Sequence, residues 1–252
     1  MPSIFGRHFS FPFKDNPVRI WHISDTHGFH RQLPEQEVDV VIHSGDATTS
    51  RKPAKNLAEH NSFMEWFDSL KATYKIYVPG NHDLTLAESS KAREDLPSSV
   101  TLLADKSMEI DGLNIVGIPW TREWGKWSWQ VPNEHILSNI FGNFSDMNID
   151  VLVTHGPPSG FLDETRHGIN VGSTALREFM FKEKVRSILC GHIHNEEDVI
   201  NTGVIPVSGP NRIVSNAAAV SNTSDQLFSG NIIEITETEI LYTPGKFIQT
   251  VY

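Results

Sequence analysis

The chain alternates short apolar runs with longer segments of mixed polarity. The apolar runs are rich in Ile and Val and are closed by Gly, Pro, Asp or Asn, which is typical of buried strands. Six runs predict such strands: Arg19–Ser24, Val38–Ser44, Tyr74–Val78, Leu113–Ile118, Asp150–Thr154 and Arg186–Cys190.

Two of the intervening segments have helical spacing. Pro53–Lys71 carries apolar residues at mostly helical intervals and begins with a proline, which suits the first turn of a helix. Ser173–Glu183 predicts a second helix, capped by Ser173 and apolar on one face.

After Gly209 the pattern becomes β-rich. Arg212–Val214, Gly230–Ile235 and Glu239–Tyr242 predict antiparallel strands joined by tight turns. Strand–helix alternation followed by a β-rich end predicts α/β layers around mixed sheets. Composition does not shift along the chain, so we expect one domain over residues 1–252, with Met1–Asn16 as an arm lying on it.

Composition narrows the function classes. The formal charge is 21 − 31 = −10, which argues against binding to long nucleic acids. The apolar runs are far too short to span a bilayer, and the first residues lack the pattern of a secretory signal, so we expect no membrane partner. A single cysteine, Cys190, predicts a small buried hydrophobe and fits a reducing compartment, so we expect a cytoplasmic protein.

Five short blocks place metal-competent side chains where an apolar run ends. Glycine in or beside each block lets the backbone turn sharply and approach a ligand closely. The carboxyl ends of strands in α/β sheets are where ligands gather. The blocks are Asp25-Thr26-His27-Gly28, Gly45-Asp46, Gly80-Asn81-His82-Asp83, Thr154-His155-Gly156 and Gly191-His192-Ile193-His194.

The donor types point to a binuclear site. Imidazole together with carboxylate suits Zn, Fe or Mn better than Mg or Ca alone. Seven candidate ligands are too many for one catalytic ion, which keeps an open position. They suit two ions that share a carboxylate, about 3.5–4 Å apart.

The order D-x-H, G-D, G-N-H-D, T-H-G and G-H-x-H resembles the signature of the calcineurin-like metallophosphoesterases. Two further stretches, Gly117–Thr121 (GIPWT) and Thr154–Asp163 (THGPPSGFLD), resemble the metallophosphoesterase domain-containing branch of that superfamily. The resemblance implies a four-layer α/β/β/α sandwich with two mixed β-sheets.

The resemblance also implies a role for each motif residue. Asp25, His27 and His194 would hold the first metal ion; Asn81, His155 and His192 would hold the second; and Asp46 would bridge them. The two divalent ions would be Mn, Fe or Zn, with Mn favoured. His82 would face the substrate and protonate the leaving oxygen, and Asp83 would orient His82.

The expected activity follows from the same resemblance. It implies a phosphodiesterase in which a metal-bound hydroxide attacks a small phosphate ester, with 2′,3′-cyclic nucleotides favoured as substrates. A phosphomonoesterase is the nearest alternative, and a non-catalytic metal-binding scaffold is the alternative from another class.

An aromatic segment, Trp120–Trp129, contains four of the six tryptophans. One interpretation is a loop that packs its rings on the domain. The other is a wall beside the metals on which a nucleobase stacks, with Trp120, Arg122 and Trp124 as substrate contacts. A further alternative concerns His43, which could support Asp46 from behind without binding metal.

Overall fold

The computed structural model describes residues 16–208 and 211–250. The predicted arm, Met1–Asn16, lies outside the described residues except for Asn16. Within these ranges no helix combines the length and the apolar character that a bilayer crossing requires.

The helices and strands follow the predicted alternation. The strands are β1 (Val18–Ile23), β2 (Val40–His43), β3 (Tyr74–Tyr77), β4 (Val100–Leu102), β5 (Lys106–Ile110), β6 (Leu113–Ile118), β7 (Thr121–Arg122), β8 (Gln130–Val131), β9 (Val151–Thr154), β10 (Ser187–Cys190), β11 (Gly203–Pro206), β12 (Ile213–Asn216), β13 (Gln226–Phe228), β14 (Asn231–Ile235), β15 (Ile240–Thr243) and β16 (Phe247–Thr250). The helices are α1 (Pro53–Ser69), α2 (Leu84–Glu88), α3 (Ser90–Glu94), α4 (Glu134–Gly142), α5 (Thr174–Lys182) and a 3₁₀ turn, His30–Gln32.

Local chemistry explains where the longer helices begin. Helix α1 starts at Pro53, whose missing N–H costs nothing in the first turn. Helix α5 is capped as predicted, because the Ser173 side chain accepts a hydrogen bond from the amide of Leu176. Asn133 caps α4 in the same way, which the apolar-run pattern did not predict.

The strands form two six-stranded mixed sheets. The first has the order β15-β14-β1-β2-β3-β4, and the second has the order β11-β12-β10-β9-β6-β5. Strands β1 to β4 run parallel, as do β6, β9, β10 and β12. Antiparallel strands β14 and β15 complete one side of the first sheet, and β11 and β5 form the two edges of the second. The predicted mixed sheets are therefore confirmed.

One strand prediction needs correction. The sequence predicts Arg212–Val214 as an antiparallel strand, but β12 pairs antiparallel only with β11 and parallel with β10. The reason is the edge strand β11, which the sequence did not predict and which forms the antiparallel pair with β12.

Alternating strand residues fill three layers of core. Because successive side chains point to opposite faces of a sheet, each buried strand supplies two layers. Between the two sheets lie Ile20, Ile42, Ile76, Ile115, Val153 and Leu189. Between the first sheet and α1 lie Trp21, Val41, Tyr77, Phe63 and Phe67. Between the second sheet and helices α4 and α5 lie Val116, Leu152, Cys190, Phe141 and Leu176. This is the expected four-layer α/β/β/α sandwich, and Cys190 is buried as predicted.

The two sheets present their parallel strand ends at one shared rim. Ser24, just after β1 of the first sheet, forms a parallel bridge with Ala218, just after β12 of the second. Across the first sheet, the Asp25 amide donates to the carbonyl of Gly45 at 2.8 Å. The loops that follow β1, β2, β3, β9 and β10 therefore meet, and these loops are the five motif blocks.

Candidate metal centre

Six motif side chains that end in an imidazole or a carboxylate form two clusters of possible ligands. The first cluster is Asp25, His27 and His194, and the second is Asp46, His155 and His192. In each cluster the ligand atoms all lie within 4.8 Å of one another. A third cluster within the same limit joins His27 to Asp46 and His82, so the first two clusters adjoin through Asp46.

Asp46 occupies the middle of the arrangement. Its Oδ2 lies 3.3 Å from Nε2 of His155 and 3.9 Å from Nε2 of both His27 and His82. Asn81 joins from the neighbouring loop, with its Oδ1 3.0 Å from Nε2 of His155. The structure thus brings together all seven of the side chains that the sequence singled out as ligands.

Backbone carbonyls orient two of the imidazoles. His27 donates from Nδ1 to the carbonyl of Thr48 at 2.9 Å, and His155 donates from Nδ1 to the carbonyl of Ser44 at 2.9 Å. In each ring this leaves Nε2 as the nitrogen that faces the cluster. Such second bonds, which fix both tautomer and ring orientation, typically accompany histidines that bind metal.

Backbone amides orient the two carboxylates. The amide of His192 donates to Oδ2 of Asp25 at 2.9 Å, and the amide of His82 donates to Oδ1 of Asp46 at 2.7 Å. One oxygen of each carboxylate is thereby held, and the other lies beside a histidine nitrogen.

Four of the candidate ligands have left-handed backbone. Asp25, His27, Asp46 and His192 have φ angles of 49°, 42°, 57° and 69°. Such conformations cost non-glycine residues roughly 1–3 kcal/mol each when the surroundings impose them, and they gather at functional sites. The arrangement of donors is therefore maintained against local backbone preference.

Two motif glycines make room for the carboxylates. A Cβ atom at Gly80 would lie 2.3 Å from Oδ1 of Asp46, and a Cβ atom at Gly191 would lie 2.0 Å from Oδ2 of Asp25. Any larger residue at these positions would displace the neighbouring carboxylate, so the site requires glycine at both positions.

Burial and pairing set the charges of the cluster. Burial opposes ionisation of Asp25 and Asp46, yet His194 and His155 hold the pKa of these carboxyls well below the usual range. Burial also opposes a charged His155, but Asp46 raises its pKa to about 9. Burial lowers the pKa of His27 to about 4 and that of His192 to about 3.

These charges fit divalent cations. Burial opposes charge on His194 and His155, but Asp25 and Asp46 raise the pKa of both rings, and divalent cations would compensate the same two carboxylates. Two carboxylates, four imidazoles and one amide oxygen form the mixed donor set that suits Mn, Fe or Zn.

Asp83 holds the backbone around the cluster. Its buried carboxylate accepts hydrogen bonds from the amides of Asp46 at 2.8 Å, Gly80 at 2.7 Å and Ala47 at 3.2 Å. Burial and the nearby Asp46 raise the pKa of Asp83 to about 6, so it is ionised at neutral pH.

The predicted contact between Asp83 and His82 is therefore wrong. Nδ1 of His82 instead faces the carbonyl of Thr49 at 3.3 Å. The physical reason is that the loop amides turn the carboxylate of Asp83 inward, while the ring of His82 points outward to the cavity.

His43 contacts the loops behind the candidate ligands, in line with the alternative that it supports Asp46 without binding metal. Its Nδ1 accepts from the amide of Gly45 at 3.2 Å, and its Nε2 lies 3.1 Å from the hydroxyl of Thr26. Through these two bonds His43 contacts the loops that carry Asp25 and Asp46. Neither bond reaches the side chain of a candidate ligand.

A cavity of about 570 Å³ opens over the cluster. The aromatic segment forms part of its wall, including Trp120, Arg122 and Trp124. Trp120 packs on the core, in agreement with the packing interpretation, whereas Trp124 is 68% exposed and its stacking on a nucleobase stays a prediction.

The ring nearest to the candidate catalytic histidine is one that the sequence did not single out. The indole of Trp127 lies 3.7 Å from the ring of His82, centroid to centroid. The spacing of the four tryptophans carried no signal for this choice, since Trp124 and Trp127 lie in an irregular loop between β7 and β8.

Comparisons with known proteins agree with this geometry. The family model described as calcineurin-like phosphoesterase matches residues 18–196. Human metallophosphoesterase domain-containing protein 1 is 31% identical over 206 residues, which cover 72% of this chain and 62% of the human protein. UPF0046 protein C25E10.12 of Caenorhabditis elegans is 32% identical over 214 residues, which cover 76% of this chain and 74% of that protein.

A solved crystal structure supports the fold alone. It is 16% identical, has a TM-score of 0.65, and covers 91% of this chain and 100% of its own. The matched residues include all five motif blocks, and the likeness to metallophosphoesterase domain-containing protein 1 confirms the branch that the shorter motifs indicated. On this evidence the chain belongs to the calcineurin-like phosphoesterase family.

Proposed function

We propose that this chain is a metal-dependent phosphodiesterase that acts on cyclic nucleotides, with 2′,3′-cyclic nucleotides favoured. The observation that carries the proposal is the position of Asp46, whose Oδ2 lies within 3.9 Å of nitrogens from His155 and His27. One carboxylate between two donor clusters suits two cations that share a ligand, as phosphatases and nucleases require. Family membership supports the same reaction class.

Seven side chains would hold the cations. Asp25, His27 and His194 would bind the first; Asn81, His155 and His192 would bind the second; and Asp46 would bind both. When bound, the cations supply Lewis acidity, which neutralises phosphoryl charge and lowers the pKa of water. We favour Mn among Mn, Fe and Zn.

His82 would serve the leaving group. Its side chain is 21% exposed, and its ring lines the cavity. Because Nδ1 faces the carbonyl of Thr49, Nε2 is the nitrogen left to exchange a proton with substrate. A protonated Nε2 would stabilise charge on the phosphoryl group and donate to the departing oxygen.

The cavity wall supports a substrate with one phosphate and an uncharged organic group. Beyond the donor clusters the wall combines apolar residues, such as Trp120, Phe141 and Leu176, with polar side chains. Of the charged side chains in the wall, Glu164 would oppose a second phosphate, whereas Glu196 is paired with Arg166 at 3.8 Å and Arg122 would attract a single phosphate. A nucleoside cyclic monophosphate meets both conditions.

The first test is metal content and substrate preference. We expect Mn-loaded protein to contain two Mn per chain and to hydrolyse 2′,3′-cyclic AMP with a higher kcat/KM than phenyl phosphate or ADP. Higher kcat/KM on phenyl phosphate would favour the phosphomonoesterase alternative. Two bound metals without hydrolysis of any of the three substrates would favour the non-catalytic scaffold.

The second test separates the role of His82 from that of the metals. His82→Ala should retain its metals and lose turnover by about 10²–10⁴-fold, the range expected when a general acid is removed. The matched control is His135→Ala, an exposed histidine on α4 outside the cavity wall. Loss of metal from His82→Ala would assign His82 to the ligand set instead.

A further inference from the structure

Three consecutive residues of the aromatic segment contact three consecutive residues of the G-N-H-D block. The amide of Ser128 donates to the carbonyl of Asn81 at 3.1 Å. The indole nitrogen of Trp129 donates to the carbonyl of Asp83 at 3.3 Å. Between these two contacts, the ring of Trp127 lies 3.7 Å from the ring of His82 at an interplanar angle of 34°.

A second loop meets the same pair of rings. Arg51 follows the Asp46 block, and its guanidinium carbon lies 3.7 Å from the centroid of the Trp127 ring. A cation at this distance from an indole face is attracted by the ring quadrupole. The same loop presents the carbonyl of Thr49 to Nδ1 of His82 at 3.3 Å.

Besides Trp127, three weak contacts set the orientation of the His82 side chain: the carbonyl of Thr49 at Nδ1, Oδ2 of Asp46 at 3.9 Å from Nε2, and an edge contact with the ring of His27 at 5.0 Å between centroids. The bond to Thr49 is long, and the ring is partly open to the cavity. A flat neighbour at stacking distance removes most of the rotational freedom that remains.

The other tryptophans of the segment have different surroundings. Trp120 donates to the carboxylate of Asp105 at 2.7 Å and packs beside Trp129, while Trp124 is 68% exposed. Among the four rings, Trp127 is the one paired with a motif side chain.

We propose that Trp127, held by Arg51, is the positioning residue that aligns His82 over the candidate metal centre. The proposal rests on the proposed function for its kinetic consequence and on the loop contacts for its structural basis. The main role of the aromatic segment is then to align His82, and any contribution of its other rings to substrate binding is separate.

The kinetic test uses leaving groups of different basicity. An alkyl leaving oxygen needs a proton from His82, whereas p-nitrophenolate departs without one. The probes are dimethyl phosphate, an alkyl ester, and methyl p-nitrophenyl phosphate, and both are tested with Mn-loaded protein. Trp127→Ala should lower kcat for dimethyl phosphate about 10–100-fold, which is the cost of a small misplacement of a catalytic group. The p-nitrophenyl ester should lose much less, and metal content should not change. Trp127→Phe should restore most of the loss, because a flat ring remains.

The controls and a double-mutant cycle decide the cause. Lys126→Ala and Lys52→Ala, each next to a residue of the pair, should behave as wild type. In a His82→Ala background, Trp127→Ala should lower kcat no further, since two residues acting as one unit are not additive. Full additivity in this cycle would overturn the proposal.

A structural readout keeps the test independent of activity. In Zn-loaded protein with isotope-labelled histidine, the ring protons of His82 should show a ring-current shift that is lost in Trp127→Ala and kept in Trp127→Phe. Unchanged His82 signals in Trp127→Ala would overturn the alignment by Trp127, even if the enzyme is active. An inactive wild-type protein that shows the expected shifts would refute the proposed function and leave the pairing intact.

Discussion

Replacing Asp83 by asparagine tests whether one buried carboxylate holds the metal loops together. Asp83 lies in the loop after β3, and its oxygens accept from the amides of Asp46 and Ala47 in the loop after β2. It also accepts from the amide and the hydroxyl of Thr48 at 3.3 and 3.2 Å. Asparagine keeps the shape but turns an NH₂ group toward these donors.

The expected cost comes from the number and charge of these bonds. A hydrogen bond to a charged group contributes about 1.5–3 kcal/mol net, and a buried donor left without a partner costs about 1–3 kcal/mol. The bonds share one carboxylate and do not add, so we expect about 3–5 kcal/mol of lost stability, the range for breaking a buried charged network. Movement of the Asp46 backbone should also weaken metal binding about 10–100-fold, as changes behind metal ligands do.

The assay needs a control that costs stability without touching the metals. Asp163 is an equally buried carboxylate that accepts from the amides of Gly160 and Gly172 and from the side chain of Asn170, at 3.0, 2.8 and 2.7 Å. Urea unfolding in EDTA should show comparable losses for Asp83→Asn and Asp163→Asn. Calorimetric Mn titration should show weakened binding only in Asp83→Asn. Wild-type Mn affinity in Asp83→Asn, or an equal loss in Asp163→Asn, would refute the reasoning.

Three further predictions concern the bridging carboxylate, a glycine beside a candidate ligand and a buried histidine. Because Asp46 faces both donor clusters, Asp46→Asn should reduce Mn content below two per chain and impair turnover more than any other ligand change. Elemental analysis that finds two Mn per chain would contradict this. Gly191→Ala should weaken Mn affinity, because its new Cβ would lie 2.0 Å from the Asp25 carboxylate, whereas Gly142→Ala on α4, with open space around it, should bind Mn normally. Burial lowers the pKa of His60 to about 4, below the roughly 6.5 of an unfolded chain, so its contribution to stability is complete above pH 6.5 and falls as the pH drops toward 4. His60→Leu should therefore lose less stability than wild type between pH 7.5 and pH 5 in urea unfolding, by up to about 2 kcal/mol, and an unchanged difference would count against the assignment.

The pattern along the chain predicted mixed sheets with helices, the family resemblance implied their four-layer arrangement, and the motif blocks indicated the side chains that meet at the candidate site. Runs such as Leu113–Ile118 became strands because local patterning is sufficient to specify a buried strand. Donor side chains follow such runs directly, so the order of the five blocks was enough to predict which side chains would meet. Very short strands such as β4 lacked that signal, and the edge strand β11 went unpredicted with them.

Only the tertiary structure decided how the loops contact one another. Local sequence did not reveal that Asp83 would bond to the amides after β2 instead of to its neighbour His82, or that Trp127 would be the ring beside His82. Both contacts join loops from different strands, and their geometry depends on where the packed sheets place those strand ends. A motif determines which chemical groups are present, whereas long-range packing determines which of them are within a few ångströms of one another.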